Sequence, residues 1–149
     1  MTGLLSSDPS LDLFIHAAQG KKAFDIVVMD LRDMNAITDY FIVCSGRSSR
    51  QVMAIAEHIQ KEMRNTRNRP LGVEGAGSGH WILMDYGHVV IHVFYDPVRR
   101  FYNLEGLWSD VPKIQISEPP AEMNEPFEGD DTDDTSDVPA HDSGWMGNP

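Results

Sequence analysis

The chain has 149 residues, which is enough for one domain with a moderate hydrophobic core. No apolar run approaches the roughly 20 residues that span a bilayer, so the sequence predicts no membrane contact. No Lys or Arg precedes Lys21, which fits neither a secretory signal nor an Arg-rich transit peptide. The single cysteine, Cys44, excludes an internal disulfide and a cysteine-only metal site, so we expect a cytoplasmic protein.

The net charge of −11 is concentrated at the C-terminus, because residues 118–149 contain ten acids and no Lys or Arg. Residues 1–117 carry 13 acids against 12 bases, and this near balance argues against phosphate-dominated or sequence-specific binding of nucleic acid. The composition predicts a flexible N-terminus over 1–9, one folded domain over 10–116 and a disordered acidic tail over 117–149. The tail is either a solubilising extension or a regulatory segment.

The first part of the chain predicts a short helix and two strands. An amphipathic helix spans Leu11–Gln19, with Ser10 as its N-cap and Gly20 after its C-terminus. The β-branched runs Phe24–Leu31 and Thr38–Ser45 are typical of strands that are buried on both faces.

A longer helix over Arg50–Thr66 follows, capped by Ser48 or Ser49. Its apolar residues recur at helical spacing and predict one buried stripe, formed by Val52, Ile55, Ala56, Ile59 and Met63.

The second part predicts a short strand over Leu71–Glu74 and a hairpin. The hairpin strands are Trp81–Asp85 and Val89–Tyr95, joined through residues 86–88, and a short helix or turn carries Arg99–Trp108. The order α-β-β-α-β-β-β predicts an α/β (α+β) fold with a mixed sheet of about five strands flanked by helices.

Two segments are candidates for phosphate or metal chemistry. The glycine and serines at 46–49 precede a helix and could bind an anion, but capping of the helix by Ser48 is the favoured explanation. Four carboxylates at strand ends could converge on magnesium, namely Asp30, Asp39, Glu74 and Asp85. No core strand carries a D-x-D or E-x-E pair, so a metal-dependent nucleotidyltransferase-like enzyme is the alternative hypothesis rather than the favoured one.

The remaining reactive side chains favour structural roles. His88 and His92 share one face of a strand and His80 lies beyond its partner strand, but the set lacks the further ligands of a zinc site. Cys44 lies inside an apolar strand without a neighbouring base, and the GAGSG segment precedes a strand rather than a helix. We therefore predict no enzyme activity, no metal and no cofactor.

The stretch His80–Trp108 is the densest in aromatic residues. It contains two of the three Trp and three of the four Tyr residues, without matching reactive groups. Large aromatic side chains of this kind anchor protein interfaces, so the sequence predicts a protein-binding surface.

Five segments together closely resemble the ribosomal silencing factor family, also called the Iojap-like family. They follow the family's order over residues 21–108: KKAFDIVVMDLR, ITDYFIVCSGRSSRQVMAIAEHI, PLGVEG, HWILMDYGHVVIHVF and RRFYNLEGLW. The resemblance implies an α/β fold related to nucleotidyltransferases without their catalytic carboxylates. It also implies binding to the large ribosomal subunit through a ribosomal protein on the intersubunit face, which blocks joining of the small subunit and represses translation when nutrients are short. Members commonly form homodimers, and organellar relatives assist large-subunit assembly.

The family's motifs carry its partner-binding candidates onto this chain. These are Glu74 and Gly75 of the EG motif, Trp81 and Asp85 of W-x-x-x-D, and Tyr102, Leu104, Glu105 and Trp108 of Y-x-L-E-x-L-W, with Asp39 and Tyr40 of TDYF supporting the same surface. The chain departs from the pattern in its GAGSG loop, and the acidic tail lies outside the resemblance.

Overall fold

A computed structural model describes residues 8–117 of the chain. The predicted flexible N-terminus and disordered acidic tail lie almost entirely outside the described residues. Residues 8–117 form one mixed sheet of six strands with helices on both faces. The predicted α/β class is therefore confirmed, with one strand more than the five expected. None of the helices in this range is long and apolar enough to cross a membrane.

Four helices and six strands make up the described part of the chain. In chain order they are α1 (Ser10–Gln19), β1 (Phe24–Asp30), β2 (Tyr40–Gly46), α2 (Ser49–Asn65), β3 (Gly72–Glu74), β4 (Trp81–Asp85), β5 (Val89–Tyr95), α3 (Asp96–Tyr102), α4 (Leu104–Leu107) and β6 (Lys113–Gln115).

The strand order across the sheet is β3-β4-β5-β2-β1-β6. The two central strands, β2 and β5, are parallel, and every other neighbouring pair is antiparallel. Strand β5 is buried along almost its whole length, because it lies between β4 and β2 and is covered on both faces. Its side chains are largely apolar on both faces, in agreement with this central position.

Strand β6 is the element that the sequence did not reveal. It has only three residues, and it pairs with β1 through Val28 opposite Ile114. A segment this short carries no readable alternation of polar and apolar residues, so its strand conformation depends on the edge of β1 that it meets.

Helix α1 begins differently from the prediction. Ser10 lies in the first turn rather than at the N-cap, which is Pro9, and the Asp8 carboxylate accepts hydrogen bonds from the Ser10 backbone N–H and hydroxyl at 3.2 and 2.6 Å. Gly20 keeps a right-handed conformation at the helix end, and Lys22 takes up the left-handed one at φ 67°. The side chain that accepts a hydrogen bond from the backbone at the helix start is therefore Asp8, and not Ser10 as the sequence predicts.

Helix α2 begins as predicted from its capping residue. The Ser48 hydroxyl accepts a hydrogen bond from the Gln51 backbone N–H at 3.1 Å, which satisfies one of the free donors of the first turn. Gln51 is fully buried and bridges three backbone groups. Its amide N–H donates to the carbonyls of Lys21 and Lys22, while its Oε1 accepts from the Arg47 backbone N–H. Gln51 thereby joins the start of α2 to the turn after α1.

Two hydrophobic clusters lie on opposite faces of the sheet. Helices α1 and α2 cover the larger cluster and bury the stripe that was predicted for the second helix. Helices α3 and α4 cover only part of the other face, over a smaller cluster that contains Val43, Phe94 and Leu104. This incompletely covered face carries the aromatic residues of the candidate site.

Candidate functional site

Trp81 is the centre of the aromatic residues on the second face. It begins β4 opposite Phe94 of β5, and the two rings stack with centroids 4.7 Å apart. The Tyr102 ring, at the end of α3, lies 5.1 Å from the Trp81 ring. The Trp81 indole is therefore held between the sheet and α3, with part of its surface still exposed.

Exposed apolar side chains continue this cluster across the surface. Phe101 is 79% exposed and Tyr102 53%, and their rings meet edge-on with centroids 5.1 Å apart. A pocket of about 390 Å³ lies beside them, lined by Ser78, His80, Trp81, Pro97, Val98, Phe101 and Tyr102. A contiguous group of exposed aromatic side chains next to a pocket is typical of a protein-binding surface. We call Trp81, Phe101 and Tyr102 the aromatic patch.

His92 lies beneath the aromatic patch as a neutral, buried side chain. Its Nδ1 accepts a hydrogen bond from the Trp81 indole N–H at 3.1 Å, so the ring proton resides on Nε2. Burial lowers the pKa of His92 to about 4, because the charged ring would lose its hydration. Nε2 has no hydrogen-bond partner among residues 8–117, and the Phe41 ring meets the imidazole edge-on at a centroid distance of 4.6 Å. The neutral imidazole fixes the orientation of Trp81, which agrees with the structural role predicted for it.

Glu74 of the edge strand β3 and Asp85 of the neighbouring strand β4 lie on the same sheet face as Trp81. Trp81, Leu83 and Asp85 alternate onto one face of β4, and Glu74 of β3 is opposite Leu83. The Asp85 carboxylate accepts a hydrogen bond from the Gly87 backbone N–H at 2.8 Å, which stabilises the hairpin turn. Asp85 therefore shapes the turn and remains partly exposed, and Glu74 is exposed.

Gly75 controls how the chain enters β4. Its φ of 86° lies in the left-handed region, and a Cβ atom there would overlap the Trp81 carbonyl oxygen. Gly79 closes the same loop, since its backbone N–H donates to the Gly75 carbonyl at 3.2 Å. Gly75 therefore acts on the aromatic patch through the backbone rather than by offering a side chain.

Glu105 is engaged within the molecule. Its two carboxylate oxygens accept from Arg99 Nε and Nη2 at 3.2 and 2.8 Å. The guanidinium of Arg99 holds the pKa of this carboxyl below its usual range, against the opposing effect of burial. Arg99 also donates to the Asp25 carbonyl and the Ser45 hydroxyl, both at 2.8 Å. Glu105 thus helps to fix α3 and α4 on the sheet, and only part of it remains exposed.

The other four predicted residues differ in exposure. Leu104 is 9% exposed and packs in the smaller cluster, directly beneath the surface. Tyr40 is 2% exposed and packs in the larger cluster under α1 and α2, so its side chain lies on the opposite face of the sheet from Trp81. Trp108 is half-buried and meets Phe41 edge-on at 5.7 Å. Asp39 is exposed, and its backbone N–H donates to the His88 carbonyl at 3.0 Å.

The carboxylates of the alternative enzyme hypothesis do not converge. Asp30 is bound by the Arg32 guanidinium at 2.8 and 2.9 Å, and this pairing lowers the pKa of its carboxyl. Asp85 is at the same end of the sheet but three strands away, which is roughly 14 Å at the usual spacing. Within residues 8–117 no three His, Cys, Asp or Glu side chains are grouped so that they could hold a metal ion.

The other two chemical candidates are accounted for by packing. At the start of α2, the Arg47 N–H donates to Gln51 and the Gln51 N–H donates to Ser48, so two donors that could face an anion are already bonded. Cys44 is fully buried, and this burial raises the pKa of its thiol to about 12. A thiol of this kind is an inert core side chain.

Three important residues were not predicted. Phe101 is the most exposed member of the aromatic patch, and Arg99 and Gln51 are buried polar residues that join separate elements. The aromatic pair at 101–102 was a usable signal for Phe101. Nothing local distinguishes Arg99 from its exposed neighbour Arg100, because burial depends on the sheet beneath α3.

A sequence model of the family described as "Ribosomal silencing factor during starvation" matches residues 5–142. The chain belongs to this family. The match is wider than the 21–108 segment that carries the motifs, and it takes in most of the acidic tail.

Relatives in the ribosomal silencing factor family agree with the fold. Ribosomal silencing factor of Bacillus subtilis (strain 168) is 40% identical over 100 residues, which are 67% of this chain and 85% of the relative. A crystal structure of a Bacillus halodurans protein superposes with a TM-score of 0.65 at 34% identity, covering 72% of this chain and 98% of the other. A mouse protein named mitochondrial assembly of ribosomal large subunit protein 1 is 29% identical over 102 residues, covering 66% of this chain and 45% of its own length.

Proposed function

We propose that this ribosomal silencing factor binds the large ribosomal subunit through a ribosomal protein on the intersubunit face. Bound there, it blocks joining of the small subunit and represses translation under nutrient limitation, in the bacterial cytoplasm. Family membership supports the silencing role, and the name of the mouse relative associates the family with the large subunit. The observation that carries the proposal is the aromatic patch, in which large exposed aromatic side chains lie in contact with one another beside a pocket.

The charges around the patch favour a basic protein partner. Exposed or partly exposed carboxylates lie on the same sheet face and at its end, at Glu74, Asp85 and Asp39. Ribosomal proteins are generally basic, so these acids would steer and orient such a partner around the aromatic anchor. Leu83, half-buried between Trp81 and Asp85, would extend the apolar contact along β4.

Silencing by this route needs no reaction centre. A protein that occupies the intersubunit face prevents joining by steric exclusion alone, so affinity and position determine its effect. Catalysis and metal binding therefore form no part of the proposal. We also propose that the free protein is a homodimer, which sedimentation equilibrium of the purified chain tests directly.

Alanine variants of the patch test the proposal by co-sedimentation with purified large subunits on sucrose gradients. Trp81→Ala should weaken binding by about 2 kcal/mol, the size of an interface hot spot. Because Trp81 also packs on Phe94, the more exposed Tyr102→Ala is the second variant, and it should weaken binding with little loss of stability.

Leu13→Ala is the matched control, since Leu13 is a 45% exposed apolar residue on α1, which covers the opposite face of the sheet. It should leave binding unchanged. Absence of the wild-type chain from the large-subunit fraction would contradict the proposed function. Normal binding by both patch variants would show that the partner binds elsewhere.

A further inference from the structure

Four basic side chains gather at the C-terminal end of α2 and in the loop that leads to β3. Lys61, Arg64, Arg67 and Arg69 are all exposed, and Glu62 is the only acid between them. Residues 1–117 carry a charge of −1 in total, so this group is a local excess in a nearly balanced domain. We call these four residues the basic corner.

The backbone of the basic corner is fixed by hydrogen bonds. The Arg67 N–H donates to the Arg64 carbonyl at 2.9 Å, and the Asn68 N–H donates to the Met63 carbonyl at 2.8 Å. The Thr66 hydroxyl also donates to the Met63 carbonyl, and the Asn68 amide donates to the Thr66 hydroxyl at 2.9 Å. This is the Schellman pattern of a helix end, so the arginines project from a defined turn rather than from a loose loop.

Arg67 occupies the position of this pattern that glycine normally fills. Its φ of 67° is left-handed, which L side chains adopt at a conformational cost. A charged side chain is therefore present where stability alone would favour glycine. The conformational cost at Arg67 is consistent with a function for its positive charge.

The helix dipole accounts for only part of the basic corner. Positive side chains are favourable in the last turn of a helix, which explains Arg64, but the effect declines within that turn. Arg67 and Arg69 lie beyond the helix end. Within residues 8–117 none of the four makes an ion pair, so no carboxylate of this part of the chain neutralises their charges.

The basic corner adjoins the edge of the proposed ribosomal-protein surface. The Leu71 N–H, two residues after Arg69, donates to the Asp85 carbonyl at 2.6 Å and begins the approach of β3 to β4. Gly72 of β3 then pairs with Asp85 of β4, so the loop that carries Arg67 and Arg69 leads directly onto the edge of the sheet. A ribosomal protein bound to β3 and β4 would therefore place the neighbouring part of the large subunit close to these arginines.

We propose that the basic corner binds the phosphate backbone of RNA that borders the ribosomal-protein contact on the large subunit. This inference rests on the proposed function, because the RNA lies next to the basic corner only when the sheet face binds the ribosomal protein. Guanidinium groups form paired hydrogen bonds with phosphate oxygens, and three of the four cations are arginines. Contacts to phosphates position a protein without reading sequence, so the near-neutral charge of the domain is compatible with this local role.

The test is the salt dependence of binding to purified large subunits, measured with the full chain. The variant carries Arg64→Gln, Arg67→Gly and Arg69→Gln. Gln is a good helix former at position 64, and Gly suits the left-handed conformation at position 67, so the variant should fold normally.

The control carries Lys21→Gln, Arg47→Gln and Arg50→Gln, which removes the same net charge elsewhere. Positions 50 and 64 on α2 are roughly 21 Å apart along the helix axis, and Arg47 lies just before the start of the same helix. Any general effect of net charge should therefore appear equally in the control and in the variant.

We expect the variant to reduce the slope of log affinity against log salt by about two to three, because each lost phosphate contact removes about 0.7 to 0.9. The control should keep the wild-type slope. Equal slopes for wild type and variant, or equal losses in variant and control, would overturn the inference while leaving the proposed function intact.

Two further outcomes are distinguishable. Tighter binding by the variant would indicate that the basic corner holds the chain's own acidic segment 118–149, and would overturn the assignment to RNA. Failure of the wild-type chain to bind subunits at any salt concentration would overturn the proposed function itself, and the inference with it.

Discussion

At the scale of single residues, the Trp81–His92 pair determines how the aromatic patch is presented. The indole N–H of Trp81 is bonded to His92 Nδ1, so the polar atom of the indole faces inward and its partly exposed surface is apolar. A fixed ring binds with less loss of conformational freedom than a mobile one. Protonation of His92 would place a positive charge beneath the Trp81 ring. It would also put a proton on Nδ1, which could then no longer accept the hydrogen bond that orients the indole.

We predict that stability depends on pH through His92. The pKa in the folded protein is about 4, below the ordinary value of 6.5, so the unfolded chain binds this proton first as the pH falls. The free energy of unfolding should therefore decrease below pH 6.5, by about 2 kcal/mol between pH 7 and pH 5, and the decrease should level off below pH 4. Urea unfolding at a series of pH values measures it.

His92→Asn is the matching variant, because an amide oxygen can accept from Trp81 close to where Nδ1 does. The variant should be less stable at pH 7 but should lose about 2 kcal/mol less than the wild-type chain between pH 7 and pH 5. An identical pH dependence in both proteins would show that other groups govern it.

At the scale of elements, Arg99 joins α3 to the two strands beneath it and to α4. Its guanidinium bonds the Asp25 carbonyl of β1, the Ser45 hydroxyl of β2 and the Glu105 carboxylate of α4. The two short helices bury only one apolar residue, Leu104, and their other buried residue is Arg99 itself. Their position, and with it that of Tyr102, therefore depends on a polar contact more than on apolar area.

We predict that Arg99→Leu lowers the free energy of unfolding by about 3 kcal/mol, because it leaves Glu105 and Ser45 without a buried partner. Arg100→Leu is the neighbouring control. Its ion pair with Asp96 is exposed, so its loss should cost less than about 1 kcal/mol. Chemical denaturation monitored by circular dichroism distinguishes the two, and equal losses would contradict the role assigned to Arg99.

At the scale of the whole molecule, β6 closes the sheet on the side away from the candidate site. It covers the edge of β1, and the Ile116 N–H donates to the Ile26 carbonyl at 2.8 Å. Val111, in the segment that leads to β6, is 5% exposed and belongs to the smaller core cluster. The described fold therefore includes the chain as far as this last strand.

We predict that truncation after Ser117 leaves thermal stability unchanged, whereas truncation after Asp110 lowers the free energy of unfolding by at least about 3 kcal/mol. The shorter chain would lose the buried Val111 side chain and expose an unpaired edge along β1. Differential scanning calorimetry of both truncations measures this. A large loss on removing 118–149 alone would show that the acidic segment contributes to the fold.

The sequence by itself determined the elements that have a strong local pattern. The apolar stripe of α2, its Ser48 cap and both hairpin strands were predicted at or within one residue of their bounds. These features depend on spacing and turn chemistry, which are properties of neighbouring residues. The family motifs identified the chain's relatives for the same reason, because they can be recognised without knowledge of contacts.

Only the tertiary structure decided which members of those motifs reach the surface. Tyr40 and Leu104 belong to family motifs just as Tyr102 does, yet both are buried. Glu105 is bound by Arg99, six residues before it in the chain. Strand β6 likewise formed where β1 offered an unpaired edge. Burial and pairing depend on what lies across the sheet, and that information belongs to the fold rather than to any local stretch of sequence.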